Sequence, residues 1–351
     1  MPEPIVANAA EAAALPYGAA IVLDPLREFL DAEGLGGGEV TAAELGDGHS
    51  NLTFLLRRGE RSFVLKRPPR GELAASANDV LREARILQAL EATAVPAPRV
   101  LACCEDPAVI GAPFFVMSHV DGAAINDALP AALEAPEAPA RIAAEAVGTL
   151  ATLHAVDLGT SGLGEFGRPS GYLERQLRRF GALLEANATR PLPDLERVAD
   201  WLAANLPETR RTTFVHGDFR LGNLLFAAPL HLSAVIDWEM ATVGDPLADL
   251  GYLTATWADP DDEETPMLAL SRLTRRPDFP TRADLARTYA DTTGEPIPDL
   301  PWYQVLALWK SAIFLEGSHK RFTEGASTDA YFASLGAGVP ALARAARELI
   351  A

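Results

Sequence analysis

The segment that most limits what this chain can fold into lies between residues 216 and 239. It reads His216-Gly217-Asp218-Phe219-Arg220-Leu221-Gly222-Asn223, then Leu224-Leu225-Phe226, and after a short gap Leu232-Ser233-Ala234-Val235-Ile236-Asp237-Trp238-Glu239. The two apolar runs, separated by Ala227 to His231 with Pro229 as a turn residue, predict two short antiparallel strands. A hairpin returns the chain to where it began. Asn223 and Asp237 are therefore expected side by side at its open end, close to Asp218 on the preceding loop. Three oxygen donors then share one small volume. Hard oxygen ligands on a loop suit Mg2+, which takes one or two protein carboxylates plus substrate oxygens in preference to a full protein cage.

A carboxylate, an asparagine five residues on and a second carboxylate after an apolar run form the spacing that protein kinases use for phosphoryl transfer. On that pattern Asp218 is the candidate base, and Asn223 and Asp237 are the candidate metal ligands. His216 is expected to orient the loop by hydrogen bonding, and Arg220 to steady Asp218 or meet an anionic substrate.

A kinase site also needs a cation for the phosphates. Only three of the chain's 30 basic residues are lysine, and one of them, Lys66, ends the strand-like run Ser62-Phe63-Val64-Leu65-Lys66. A compact ammonium fills that role differently from a guanidinium fork. On the helix predicted over Asp79 to Glu91, Glu83 lies three, four and seven residues before Ile86, Leu87 and Leu90, so it projects from the buried stripe and needs a partner. The turn Leu45-Gly46-Asp47-Gly48-His49-Ser50-Asn51 offers Gly46, Gly48, Ser50 and Asn51 as a cover for phosphates, although only two glycines of a GxGxxG pattern are present. No GxxxxGK[ST] occurs, which excludes a P-loop nucleotide-binding site. By position, the backbone of Met117, Ser118 and Val120 is assigned to a purine edge.

Composition narrows the class further. A chain of 351 residues, 48% apolar, with no run approaching the ~20 apolar residues of a bilayer span, is expected to be soluble and too large for one simple core. A net charge of -18 argues against a nucleic-acid partner while leaving a cationic substrate open. Cys103 and Cys104 are adjacent, so a mutual disulfide is strained, and a reducing cytoplasm fits. Residues 1–20, rich in alanine and without a basic or continuous apolar segment, are expected to be a disordered tail rather than a secretory signal. Residues 21–119 read as a strand-rich N-lobe with one long helix, and residues 120–351 as a larger, mostly helical C-lobe.

These blocks resemble the aminoglycoside phosphotransferase and choline kinase superfamily, small-molecule kinases of protein-kinase-like fold. The chain is most similar to the kinase-like domain fused to some acyl-CoA dehydrogenases and to its free-standing bacterial relatives. The resemblance spans nearly everything after about residue 20 and rests on GLGG at 34, GHSNLTF at 48, VLKRPP at 64, LATLHAVDL at 150, HGDFRLGNLLF at 216, VIDWEMATVGDPLADLGYL at 235, PDFPTRADLARTYADTTG at 277 and WKSAIFLEGSHKRF at 309. It implies a bilobal α+β fold and transfer of the γ-phosphoryl group of ATP, with Mg2+, to a hydroxyl of a small molecule. It also implies Asp218 as base, Asn223 and Asp237 on the metal, Lys66 with Glu83 on the phosphates, and the 46 to 51 turn over the nucleotide. The junction Met117-Ser118-His119-Val120 departs from the glutamate and aromatic usual in relatives, which leaves GTP open as donor.

The acceptor implied by the dehydrogenase-linked branch is a hydroxy acid or hydroxyacyl thioester. An aminoglycoside is the alternative, and a nucleotide-binding pseudokinase is the reading from another class. No membrane partner is expected, and the expected state is a monomer or homodimer. Asp245, before Pro246, reads as a helix cap, Asp249 as a brace for the catalytic loop, and His154 as a packed core histidine. The acidic run Asp259 to Glu264 is expected to be solvated, or to favour cations if it meets the substrate. Lys310, Lys320 and Arg321 read as a solvated helix surface, with contact to an anionic substrate as the other possibility.

Overall fold

The computed structural model describes residues 3–46, 51–70, 79–325 and 330–350. The chain divides into two compact units, one of residues 1–92 with 97–121, the other of 93–96 with 122–351.

The first unit is built on a five-stranded antiparallel sheet. Its strands are β3 (Thr41–Glu44), β4 (Leu52–Arg58), β5 (Arg61–Arg67), β6 (Val100–Cys104) and β7 (Phe114–Ser118), in the order β3-β4-β5-β7-β6. Along strand β4 buried positions alternate with more exposed ones, which sends Phe54 and Leu56 inward to meet Phe63, Leu65, Phe114 and Val116. One helix packs on the sheet at β6 and β7: α3 (Val80–Leu90), whose first turn is capped by the Asp79 side chain accepting from the Arg82 amide at 2.9 Å. A second, α2 (Leu23–Ala32), buries Leu26 and Leu30 in the same core, and its Phe29 ring meets Phe114 edge-on at 5.1 Å.

Residues 3–20 depart from the disorder expected of them. Strand β1 (Ile5–Val6) pairs in parallel with β2 (Ile21–Val22), and between them α1 (Ala9–Ala13) is capped by Asn8, which accepts from the amides of Ala10 and Glu11 at 3.1 Å each. Composition hid the cap and the pairing. Arg67 reinforces the attachment, since its buried guanidinium donates to the carbonyls of Ala20 at 2.7 Å and Ile110 at 2.9 Å.

The second unit is mostly helical. Its helices are α4 (Ala138–His154), α5 (Tyr172–Asn187), α6 (Pro193–Ala204), α7 (Leu247–Thr256), α8 (Arg282–Thr293), α9 (Leu300–Thr323) and α10 (Ala330–Glu348). Two small sheets interrupt them: β9 (Thr213–Val215) with β12 (Thr242–Gly244), and β8 (Ala123–Ala124) with β10 (Leu224–Ala227) and β11 (His231–Val235). Helix α9 is the axis of this unit, packing on α5, α6, α7 and α10. Its two tryptophans are buried with their indole N–H groups satisfied, Trp302 by the Leu202 carbonyl at 3.2 Å and Trp309 by that of Leu195 at 3.1 Å. Glu316, fully buried, is held by the Thr189 hydroxyl at 2.6 Å and by Arg190 at 3.0 Å.

Candidate active site

Each unit carries one half of the predicted residue set. In the first, Lys66 and Glu83 are 6% and 2% exposed, and the ammonium lies 2.9 Å from one carboxylate oxygen and 2.8 Å from the other. β5 delivers the lysine from the middle of the sheet, and the buried stripe of α3 delivers the glutamate. Two charges so withdrawn from water are tolerated because each neutralises the other.

Gly46 has φ of +78° and precedes the buried Asn51 at the head of β4; Gly48 and Ser50 lie outside the described residues. Met117 sits in β7 with neighbours on both sides, Val64 and Val100. Ser118 is committed to Arg99, donating its amide to the Arg99 carbonyl at 2.8 Å and accepting the Arg99 amide on its hydroxyl at 2.9 Å. Val120, half-buried beyond the strand, makes no backbone hydrogen bond among the described residues.

In the second unit the predicted hairpin is present. Leu224 pairs with Val235, and the Ile236 amide donates to the Asn223 carbonyl at 2.9 Å, so the residue before Asp237 is fastened to Asn223. The Asn223 side-chain amide then donates to the Asp218 carboxylate at 2.7 Å and to the Asp218 carbonyl at 2.8 Å. With its NH2 spent on Asp218, the amide oxygen Oδ1 is the atom Asn223 offers a metal. Asp237 adopts a left-handed conformation, φ +67° and ψ +63°. That conformation is uncommon for a residue with a side chain, though aspartate tolerates it better than most, and backbone strain of this kind gathers at functional sites. An amide oxygen and a carboxylate on one hairpin fit a hard cation completed by phosphate oxygens.

His216 links the two candidate ligand-bearing segments. Its Nδ1 accepts the Asp218 amide at 3.2 Å, which makes Nε2 the protonated nitrogen, and Nε2 donates to the Ile236 carbonyl at 3.0 Å. The ring is fully buried between Trp238, with centroids 4.7 Å apart, and Phe219 at 5.9 Å. Between His216 and Asp218 only glycine fits, because Gly217 has φ +84° and a Cβ there would lie 2.8 Å from the Met240 carbonyl oxygen. Arg220 lies 3.6 Å from the Asp218 carboxylate.

The loop backbone is braced from below. Asp249, on α7 and fully buried, accepts the His216 amide at 2.6 Å and the Gly217 amide at 2.8 Å. Burial alone would raise its carboxyl, but hydrogen bonds from the His154 ring and the His216 amide hold it below the usual range. His154 is buried, 3.4 Å from Asp249 through Nε2 and 2.8 Å from the Tyr289 hydroxyl through Nδ1. Asp245 accepts the Leu247 amide at 3.0 Å at the start of α7 and the Tyr303 hydroxyl at 2.8 Å, with burial pushing its carboxyl up.

One expectation gains detail and another changes. The acidic run 259–264 is exposed at Asp261, Glu263 and Glu264, but three of its carboxylates are paired: Asp259 with Arg282 at 3.1 Å, Asp262 with the same guanidinium, and Glu264 with Arg272 at 2.8 Å and Arg275 at 2.9 Å. The arginines follow in sequence, but only folding shows that they return. Lys310, read as helix surface, instead places its ammonium 4.8 Å from the centroid of the buried Phe180 ring, and burial pulls its pKa down to about 8. Lys320 and Arg321 are held locally, by the Ala186 carbonyl at 2.8 Å and the Ser318 hydroxyl at 2.9 Å.

Sequence reasoning missed Tyr252. This half-buried α7 residue interacts with the Asp218 carboxylate and the Ser311 hydroxyl, and its phenol is raised well above the ordinary value by burial, then by the charge of Asp218. Its place one turn after Asp249, on a helix whose start is fixed by Asp245, was the available signal.

Residues 41–286 match the model of the phosphotransferase enzyme family. Acyl-CoA dehydrogenase family member 10 of Mus musculus is 34% identical over 317 residues, covering 89% of this chain and 29% of that protein. Acyl-CoA dehydrogenase family member 11 of Gallus gallus is 34% identical over 297 residues, 82% of this chain and 38% of the relative. The chain thus spans less than two fifths of the length of these two relatives. Among solved structures, a Ralstonia eutropha protein provisionally named an aminoglycoside phosphotransferase is 29% identical with a TM-score of 0.76, covering 93% of this chain and 97% of its own. A thermostable mutant of aminoglycoside phosphotransferase APH(4)-Ia, crystallised with AMP-PNP and hygromycin B, shares the fold at 18% identity and a TM-score of 0.61, covering 93% and 98%.

Proposed function

Because this chain belongs to the phosphotransferase enzyme family, we propose that it is an ATP-dependent small-molecule kinase that phosphorylates an acceptor hydroxyl. The observation that carries the reading is the Asn223 amide held on the Asp218 carboxylate at 2.7 Å, at the open end of a hairpin whose other strand leads into Asp237.

Asp218 is the base. Asn223 holds one side of its carboxylate and Arg220 lies beside it, so the group is held in place and aimed. The acceptor hydroxyl donates to that carboxylate; as its oxygen bonds to the γ-phosphorus, the bond to the leaving ADP oxygen breaks and the hydroxyl proton passes to Asp218. Asn223 and Asp237 would hold Mg2+, which when bound neutralises charge building on the phosphate oxygens. His216 fixes the relation between the Asp218 amide and the Ile236 carbonyl, and Asp249 fixes the backbone beneath. In the first unit, Lys66, held by Glu83, is assigned to the phosphates of the donor. Positioning supplies most of the catalysis.

For the acceptor we favour a hydroxy acid or hydroxyacyl thioester over an aminoglycoside. The curated relatives are named as acyl-CoA dehydrogenase family members. Pairing of Asp259, Asp262 and Glu264 with arginines also leaves only Asp261 and Glu263 of that run to favour a polycation. The test is a transfer panel of hydroxy acids, their CoA esters, aminoglycosides, amino alcohols and sugars with ATP or GTP, read by mass spectrometry. Asp218→Ala should lose roughly two to four orders of magnitude in rate while retaining nucleotide affinity. Undiminished transfer by that variant would sink the base assignment, and nucleotide binding without transfer to any acceptor would make the chain a pseudokinase.

A further inference from the structure

Lys310 is a half-buried cation of the second unit. Among the described residues no carboxylate lies within ion-pair distance of it; its one close partner is the Phe180 ring, 4.8 Å away. Burial pulls its pKa to about 8, and it is near enough to feel the charges of Asp249, Arg179 and Asp218. A lysine serving only solubility would extend into water. Residue choice points the same way, because the chain uses arginine nine times as often as lysine, 27 against three.

Three neighbours complete a surface. Ser311 follows Lys310 on α9 and meets the Tyr252 phenol, which also meets Asp218. Phe314, one turn after Lys310, is 44% exposed and packs edge-on against Phe180 at 5.1 Å. From the proposed base outward there is thus a hydroxyl pair, then an ammonium, with an aromatic wall alongside.

We infer that Tyr252, Ser311 and Lys310, beside Phe314, form the acceptor-recognition surface of this kinase, with Lys310 anchoring a carboxylate on a hydroxylated, partly apolar acceptor. The inference rests on the kinase reading for the role of Asp218, while binding of a carboxylate at Lys310 stands apart from it. The hydroxyl pair positions the reacting end at Asp218, and the ammonium fixes the far end. A cation at this position also disfavours polyamines by like-charge contact at a site that is costly to charge twice.

Having only three lysines allows a direct test on the full chain. Reductive methylation with carbon-13 labels Lys66, Lys310, Lys320 and the terminal amine, and Lys310→Arg identifies the Lys310 signal by its loss. Titration with 3-hydroxybutyrate and longer-chain hydroxycarboxylates should move that signal saturably, whereas 1,3-butanediol and ethanolamine should not. Ser311→Ala should weaken the response. A Lys310 signal that stays still, or moves no more than that of Lys320, overturns the inference whatever the transfer assay gives. Where a hydroxycarboxylate is phosphorylated, Lys310→Met should raise its KM about tenfold or more with a smaller effect on kcat, as expected for a lost charged hydrogen bond. An equal effect on a neutral diol acceptor would assign Lys310 to the scaffold. Absence of any transfer would refute the kinase reading and leave the lysine titration to decide binding.

Discussion

The Lys66–Glu83 pair separates stability from function. At 2.8 to 2.9 Å and an effective dielectric of about 20, its gross attraction is on the order of 6 kcal/mol, most of which offsets the cost of withdrawing both groups from water. Lys66→Met leaves a carboxylate that is 2% exposed without its cation, and Glu83→Leu leaves an ammonium that is 6% exposed without its anion. Each single variant should lose about 3–5 kcal/mol by urea denaturation, the usual cost of removing one partner of a buried pair. The double variant removes both charges and should return to within about 1–2 kcal/mol of the parent, a coupling of several kcal/mol. ATP affinity by calorimetry should follow the lysine alone: weakened about tenfold or more in Lys66→Met and still weakened in the double variant. If the double variant is destabilised by the sum of the two singles, mutual neutralisation is wrong. If it regains ATP affinity along with stability, Lys66 is scaffold and the phosphate assignment fails.

Three further outcomes probe the second unit. Asp237→Ala should weaken Mg-nucleotide binding itself, and identical calorimetric affinity with and without Mg2+ in parent and variant would remove Asp237 from the metal. His216→Phe keeps ring packing against Trp238 and Phe219 but loses the bonds to the Asp218 amide and Ile236 carbonyl; transfer should fall about tenfold to a hundredfold, the range for groups that orient metal ligands, and a rate equal to the parent's would refute the linking role. Lys310→Met should be more stable relative to the parent at about pH 7 than at about pH 10. Burial lowers the amine from 10.5 to about 8 in the folded chain, so the folded state binds fewer protons between those values and parent stability rises with pH through that window. Below about pH 8 the penalty is present in full, and methionine removes it. A stability difference between variant and parent that does not change with pH would show that the amine is solvated.

What the sequence disclosed and what it withheld divide along a physical line. Where function depends on local chain geometry, residue spacing is enough: Leu224–Ala227 and His231–Val235 pair because short apolar runs around a turn have few other arrangements, and the pairing carries Asn223 next to Ile236. Lys66 was legible because lysine is scarce in this chain and this one ends a strand-like run, and Glu83 because a helix period points it at the buried stripe, where a carboxylate needs a partner. The disordered tail failed since composition averages over Asn8, whose side chain caps α1, and over two residues that find partners at 21 and 22. The pairing within the acidic run was hidden for another reason: it is made by Arg272, Arg275 and Arg282, which the spacing along the chain does not bring back.

The proposed acceptor surface was the least legible part, because Asp218, Tyr252 and Lys310 lie on three elements with no shared period, brought together by the packing of α7 on α9. That packing is itself demanding. A Cβ at Gly251 would lie 2.6 Å from the Tyr303 Cβ, so the helices approach closely at the residue beside Tyr252. Tyr303 donates to Asp245 at the head of α7, and Asp249 one turn on braces the loop that holds Asp218. The contact that sets the depth of Tyr252 against α9 is therefore continuous with the one that holds the proposed base. A change of acceptor that needed the two helices to separate would disturb Asp218 as well, whereas substitution at Lys310, Ser311 or Phe314 alters recognition without moving α7. Acceptor choice in this chain is thus expected to be set by the side chains of α9 and not by its position.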